Sequence, residues 1–226
     1  MNKDTVIIVP VYNEAKVIGS VLQSILKRFS RVVCVNDGSS DQSAAEISKT
    51  SAILIDHPIN MGQGAALQTG IEFARGMPSV KYFVTFDADG QHRLKDAVAM
   101  VEELRRGKCD IVLGSRFLGK ATNLKKSKAL VLKLAIKFSN SMSGVKLTDT
   151  HNGLRAFNRR VANSLQITMP DMAHASEILT IIATQKYRYK EMPVVIEYSD
   201  YSLSKGQGLI NAINIGFDVT LRKLTK

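Results

Sequence analysis

Two carboxylates one residue apart, Asp87 and Asp89, stand immediately after the apolar run 82–86. Paired acids where a strand leaves a sheet suit a hard dication such as Mg²⁺ or Mn²⁺, which commonly bridges a carboxylate and substrate phosphates. The Asp-Gly step that follows is also ordinary turn chemistry, so a solvated turn is the competing reading. Two other polar clusters follow apolar runs in the same way: Tyr12-Asn13-Glu14 after 6–11, and Asp37-Gly38-Ser39-Ser40-Asp41 after 32–36. Asp41 has the position of a helix cap. Asp37 does not, and a carboxylate at a strand end can accept a hydrogen bond from a base or ribose. Asn60-Met61-Gly62-Gln63-Gly64 opens a helical stretch whose backbone N–H groups favour an anion. Leu67 occupies the place of the third glycine of a dinucleotide fingerprint, and no G-x-x-x-x-G-K-[ST] occurs.

The elements that position these residues alternate along the first half. Strand-like runs at 6–11, 32–36, 52–55, 82–86 and 111–113 are separated by helical stretches at 15–29, 42–49, 64–75 and about 94–106. That alternation predicts an α/β fold with a mostly parallel sheet flanked by helices. In open sheets of this kind ligands sit beyond the carboxyl ends of the strands, so the three polar clusters are expected to face one cleft. After Gly114 the pattern weakens into a lysine-rich helical stretch (127–141), a polar turn, a helix near 176–186, a strand near 192–198, a loop at 199–208 and a helix over 209–224. With no repeat or low-complexity linker, 1–226 reads as one domain, in which about 1–116 is the ligand-binding half and about 117–226 elaborates it.

The chain has 226 residues, 45% of them hydrophobic, and a formal net charge of +11, which calls for an anionic partner. Nucleic acid, an anionic membrane and a phosphorylated substrate all satisfy charge alone, but no nucleic-acid-binding module accompanies the lysines. Cys34 and Cys109 make no C-x-x-C pair and fit a reducing compartment. The N-terminus lacks a signal peptide's apolar region, and the best membrane-span candidate, 129–138, is interrupted by Lys133. The expected location is the cytoplasm. Lysines at 120, 125, 126, 128, 133 and 137 flank Leu130, Leu134 and Phe138, and predict peripheral contact with anionic lipid.

Taken together, Val9-Pro10-Val11-Tyr12-Asn13-Glu14, Asn36-Asp37-Gly38-Ser39-Ser40-Asp41, Asn60-x-Gly62-x-Gly64-Ala65-Ala66, Asp87-Ala88-Asp89-Gly90-Gln91-His92 and Gly114-Ser115-Arg116 resemble, in order, the motifs of family-2 glycosyltransferases. The similarity is to the dolichyl-phosphate-mannose-synthase-like branch, and it implies a GT-A fold. It also implies transfer, with inversion, from a UDP-, GDP- or dTDP-sugar to an acceptor such as a polyprenyl phosphate or lipid-linked glycan, in cell-surface polysaccharide synthesis. Pro10, Tyr12, Glu14, Asp37, Gly64, Asp87 and Ala88 would line the donor, and Asp89 would ligate Mg²⁺ or Mn²⁺. Lys205, in a glycine-flanked loop, would meet the diphosphate. The segment 149–157 resembles the D-x-x-x-G-x-R-A-F stretch of the acceptor side, to which Arg116, His151, Asn152, Arg155 and His174 are assigned. Glu177 falls where relatives carry a catalytic base, although a pair of acids is common there and this chain has Ser176-Glu177. The alternatives are a sugar-1-phosphate nucleotidyltransferase, whose glycine- and arginine-rich N-terminal loop is replaced here by 10–14, and a basic nucleic-acid-binding protein.

Overall fold

The computed structural model describes residues 2–124, 126–169, 173–198 and 201. Among them a seven-stranded sheet runs in the order β3-β2-β1-β4-β6-β5-β7. Its strands are β1 (Asn2–Val11), β2 (Phe29–Asp37), β3 (Ile53–His57), β4 (Tyr82–Thr85), β5 (Ile111–Thr122), β6 (Arg155–Asn158) and β7 (Tyr189–Glu197). The first four pair in parallel, β5 and β7 pair in parallel, and β6 runs antiparallel to both β4 and β5.

Continuous Val/Ile runs form these central strands because both faces of the sheet are covered. Side chains alternate along β1, so Ile7, Val9 and Val11 enter one apolar cluster and Val6 and Ile8 enter the other. The first is closed by α1 (Ile18–Leu26) through Ile18, Leu22 and Ile25, by Ile47 of α2 (Ser43–Ser48), and by Met100, Val101 and Leu104 of α4 (Leu94–Arg105). The second is closed by Leu67 and Ile71 of α3 (Gln63–Arg75), Val161 of α6 (Arg159–Ser164), and Ile178, Leu179 and Ile182 of α7 (His174–Thr184). Burying each such side chain contributes about 1.5–3 kcal/mol, enough in sum to set the register. The eighteen-residue α5 (Lys126–Ser143) packs against α7.

Two expectations change. β6 and α6 lie where a polar turn was expected, because a four-residue strand beginning with arginine carries no apolar periodicity. β5 extends to Thr122 past a register irregularity between Ser115 and Lys120. The helix expected at 209–224 lies outside the described residues.

Candidate active site

The sheet register brings the polar clusters to one edge. Val11 pairs with Asn36 and Ile8 with Thr85, so β1, β2 and β4 end side by side. Thr85 and Leu113 both pair with Arg155, so the start of β6 and the β5 segment leading to Arg116 reach the same edge.

The 12–15 turn is held by the one after β2. Asn13, with φ of 53°, donates its backbone N–H to Ser39 Oγ at 2.9 Å, and its Oδ1 accepts from Ser40 N at 2.8 Å. Asp41 joins the two turns: Oδ2 accepts from Ala15 N (3.0 Å) and Oδ1 from Ser43 N (2.9 Å). Pro10 sits within β1 opposite Val35, and Tyr12 stands half exposed just beyond the Val11–Asn36 pair. Glu14 accepts a 2.8 Å hydrogen bond from the Tyr201 hydroxyl, so a residue from the C-terminal part closes over this turn.

Asp37 is buried and spent within the protein. Its Oδ1 accepts from Met61 N at 2.9 Å and lies 2.7 Å from His57 Nδ1, and its Oδ2 accepts from Gly62 N at 2.8 Å. The carboxylate thus ties the 60–62 turn to the sheet, and a bond to a nucleotide base would come on top of that work. Gly64, expected at the donor, has a packing reason of its own: an added Cβ would collide with the Met169 carbonyl oxygen and crowd His174.

Asp87 is the centre of the site, two residues beyond β4. Gln63 Nε2 donates to its Oδ1 at 3.1 Å, and His92 Nε2 lies 2.8 Å from its Oδ2. Gly153 lies directly against the carboxylate, where any Cβ would collide with it, and the Gly153 carbonyl is held by the Thr85 hydroxyl at 2.6 Å. Burial opposes the charge of Asp87, but His92, Arg155 and His174 outweigh it and hold the carboxyl below its usual range. More than a quarter of the side chain, 28%, stays exposed. Ala88, between the two acids, is buried in the core.

Asp89 meets the opposite environment. Burial and the neighbouring Asp87 charge push its carboxyl up to about 6, and among the described residues its oxygens accept from the Gln91 backbone N–H (3.1 Å) and side-chain amide. Two close carboxylates with opposed protonation tendencies form an acidic pair, and hard dications prefer such oxygen donors. The donor set therefore fits Mg²⁺ or Mn²⁺. Among the described residues no group of three His, Cys, Asp or Glu side chains converges to hold an ion, so any further ligands would come from substrate or water.

The acceptor-side residues form a second network. Arg116 Nε donates to Asp149 Oδ2 at 2.6 Å, Nη1 to the Tyr198 hydroxyl at 2.6 Å, and Nη2 to the His151 carbonyl at 3.1 Å. Asn152 reaches Asp149 at 3.4 Å and caps Leu154 N at 3.0 Å. Burial pushes the His151 imidazole down to about 4, so it is neutral at physiological pH, and the Thr150 hydroxyl lies 2.8 Å from its Nδ1. Burial also lowers Arg155 to about 10, which leaves it charged at neutral pH. Among the described residues, Arg155 Nη1, Asp149 Oδ1 and His92 Nδ1 are buried without a hydrogen-bond partner, as are Asn36 Oδ1 and Arg31 Nη1. Each such atom costs about 1–3 kcal/mol, and two of the residues concerned, His92 and Arg155, act on Asp87. His174, at the start of α7, is buried against Gly64.

Glu177, expected as the catalytic base, has partners within its own chain. Its carboxylate accepts from Thr168 N (2.9 Å), the Thr168 hydroxyl (2.6 Å) and Met169 N (2.9 Å), fastening the 168–169 turn to α7. A base engaged by three donors of its own chain is poorly placed to take a proton from an acceptor. Lys205 lies outside the described residues. Gln63, His92 and Gly153 were not assigned roles from sequence; all three lie inside the quoted motifs, but their common target, Asp87, is set by tertiary contact.

The match to known proteins agrees with this geometry. The model of glycosyl transferase family 2 matches residues 6–165. An uncharacterised protein of Methanocaldococcus jannaschii is 33% identical over 99% of this chain and 94% of its own. The UDP-N-acetylglucosamine–dolichyl-phosphate N-acetylglucosaminyltransferase of Methanococcus voltae is 28% identical over 97% of this chain and 96% of its own. In fold, the chain is similar to glucosyl-3-phosphoglycerate synthase from Mycobacterium tuberculosis in complex with Mn²⁺, UDP and phosphoglyceric acid, with a TM-score of 0.74 at 15% identity, covering 99% of this chain and 78% of that one. The chain therefore belongs to glycosyl transferase family 2, as a GT-A glycosyltransferase of the dolichyl-phosphate-sugar-synthase-like branch.

Proposed function

We propose that this glycosyltransferase moves a sugar, with inversion, from a nucleoside-diphosphate sugar to the phosphate of a polyprenyl phosphate. The observation that carries the reading is the acidic pair at the end of β4, with Asp87 held ionised and Asp89 half-buried beside it, its carboxyl raised by burial and by the Asp87 charge. Asp89, with Asp87 alongside, would hold Mg²⁺ or Mn²⁺, whose charge would neutralise the departing diphosphate. Gln63 and His92 orient Asp87, and Gly153 leaves room for its carboxylate. Tyr12 and the 60–62 turn held by Asp37 would flank the nucleoside side, with Glu14 beside the diphosphate; Lys205, the residue expected to meet that diphosphate, lies outside the described residues.

The acceptor follows from Glu177. A hydroxyl acceptor needs a base, whereas a phosphate monoester, with a second pKa near 6, is largely deprotonated at neutral pH. With Glu177 committed to the 168–169 turn, an acceptor that brings its own anionic oxygen is the better fit. That oxygen attacks the anomeric carbon, the bond to the diphosphate breaks, and the electron pair leaves on the nucleoside diphosphate. Arg116, His151, Asn152, Arg155 and His174 border the side from which it approaches. The dolichyl-phosphate acceptor in the name of the Methanococcus voltae relative supports this choice, as do the Mn²⁺ and UDP of the fold neighbour for the donor side. The expected setting is the cytoplasmic face of a membrane, in the assembly of surface glycans.

Incubation of the purified protein with UDP-, GDP- and dTDP-hexoses, Mn²⁺ and a short-chain polyprenyl phosphate, with product anomer assigned by NMR, tests the reading. A polyprenyl-phosphate sugar of inverted configuration is expected. Transfer only to hydroxyl acceptors would overturn the phosphate acceptor and restore the need for a base.

A further inference from the structure

α5 presents an apolar row that nothing in the described fold covers. Leu130 is 61% exposed, Leu134 60% and Phe138 41%, at i, i+4 and i+8 along one side. The opposite side is the packed one, with Ile136 and Ser139 buried and α7 alongside. Lys133 and Lys137 are exposed between the apolar residues, and Lys133 lies over the Phe117 ring at 5.9 Å. From 117 to 148 the chain carries seven lysines and no acidic residue, so this segment alone supplies seven of the net +11 charges. Leu118, on the β5 strand that leads from Arg116 toward α5, is also half exposed. Among the described residues no helix is long and apolar enough to cross a membrane.

We infer that α5 lies flat on an anionic lipid bilayer, with Leu130, Leu134 and Phe138 among the headgroups and Lys133 and Lys137 at the lipid phosphates. Three large apolar side chains on a row with interleaved lysines and no acidic residue match an interfacial helix in both shape and charge. A protein partner of mixed charge would leave that one-sided lysine excess unmatched. The inference names the surface that would carry the lipid acceptor, and in that respect rests on the proposed function, but its test uses neither donor nor acceptor. The expectation from sequence centred on Lys125, Lys126 and Lys128; Lys125 lies outside the described residues, and the row argued here starts at Leu130.

Sedimentation with vesicles of phosphatidylcholine alone, and of phosphatidylcholine and phosphatidylglycerol in equal parts, measures the docking. Wild type is expected to bind the anionic vesicles at least about tenfold better, with binding loosened by salt. A triple Leu130→Ser, Leu134→Ser, Phe138→Ser variant and a double Lys133→Glu, Lys137→Glu variant should each lose about tenfold or more. Both change only exposed side chains, and unchanged thermal melting would show that they fold. No vesicle binding by wild type, equal binding to both compositions, or binding indifferent to the substitutions would overturn the proposal. So would a concentration-dependent dimer abolished by the triple variant, which would make a second copy the occupant. Transfer to a short-chain, water-soluble polyprenyl phosphate should be unaffected in both variants; its absence in wild type would strike the proposed function and leave the vesicle result standing.

Discussion

Asp37 and Asp87 stand at the carboxyl ends of β2 and β4, the two strands that flank β1, and the surrounding sequence makes them look alike. The fold treats them oppositely. Asp37 is 2% exposed and meets three partners of its own chain, whereas Asp87 keeps 28% of its side chain open and is oriented by Gln63 and His92. One carboxylate is used in holding the 60–62 turn to the sheet, and the other stays partly open at the sheet's edge. The position of an acid at a strand end says that it can reach a ligand; only the count of donors already on its oxygens says whether it is spent.

The largest effect expected from that contrast is at the open pair. Asp89→Asn should lower transfer by about 10²–10³-fold, the scale of losing one preorganised electrostatic contact. Stability should hold or rise, because the substitution removes a half-buried charge that Asp87 repels. Initial rates, nucleoside-diphosphate titrations with and without Mn²⁺, and melting curves separate the two effects; an unchanged Mn²⁺ enhancement would take Asp89 out of the ligand role. Gly153→Ala comes next. The new Cβ would displace the Asp87 carboxylate, and shifts of about 1 Å at reacting groups can cost 10²-fold. A fall in kcat of about ten- to a hundredfold is expected, and normal turnover would show that Asp87 need not sit where it does.

The sealed acid should fail in the other currency. Asp37→Asn leaves at least one of three donors without an acceptor in a buried site, which costs about 2–3 kcal/mol. For a chain of this size that is a fall in Tm of about 5–10 °C. If Asp37→Asn melts like wild type while nucleotide affinity drops, the contrast with Asp87 dissolves and Asp37 belongs to the ligand.

These distinctions mark where the sequence stops being informative. The strands β1, β2 and β4 were legible because Val/Ile runs such as 6–9 and 32–35 must be buried on both faces. The acidic pair was legible because it directly follows such a run. The partners of each acid were not. Gly153 meets Asp87 across the antiparallel β6, a strand too short and too polar to show a period, and Gln63 reaches Asp87 from the start of a different helix. The partners of Glu177 were hidden for the same reason, since a carboxylate at the expected place in a chain carries no sign that Thr168 and Met169 already hold it.

A smaller effect is expected at Asp110, a sealed acid remote from the cleft. The Arg188 guanidinium and backbone, with Asn158, hold its carboxyl down to about 2 against the burial that opposes its charge. Because the folded-state value is depressed, the unfolded chain takes up the proton first as pH falls. The stabilisation is therefore complete above about pH 4 and lost on descending toward pH 2. Arg188 is mostly exposed, and screening reduces the gain to about 1–2 kcal/mol. Asp110→Asn should lower the melting temperature at neutral pH and flatten the acid limb between pH 4 and 2. An unchanged acid limb would assign that limb to other carboxylates.

The smallest effect on transfer, and the most informative, is expected for Glu177→Gln. Gln keeps one carbonyl oxygen to accept from Thr168 or Met169 but turns an NH₂ group toward the remaining donors, so the 168–169 turn loses part of its anchor. Those bonds lie near solvent, and the loss should be about 1 kcal/mol, or a Tm lower by about 2–4 °C. That turn packs on Gly64, so the start of α3, and through Gln63 the orientation of Asp87, is coupled to it. A modest rise in donor KM is the expected trace of that coupling. With a polyprenyl phosphate acceptor kcat should fall by less than about threefold, because an already ionised oxygen needs no base. If Glu177 did remove a proton, kcat would instead drop by about 10²–10⁴-fold at unchanged Tm. The pair of readings, melting temperature and kcat measured on one protein sample, distinguishes an acid that the fold has used from one held for chemistry.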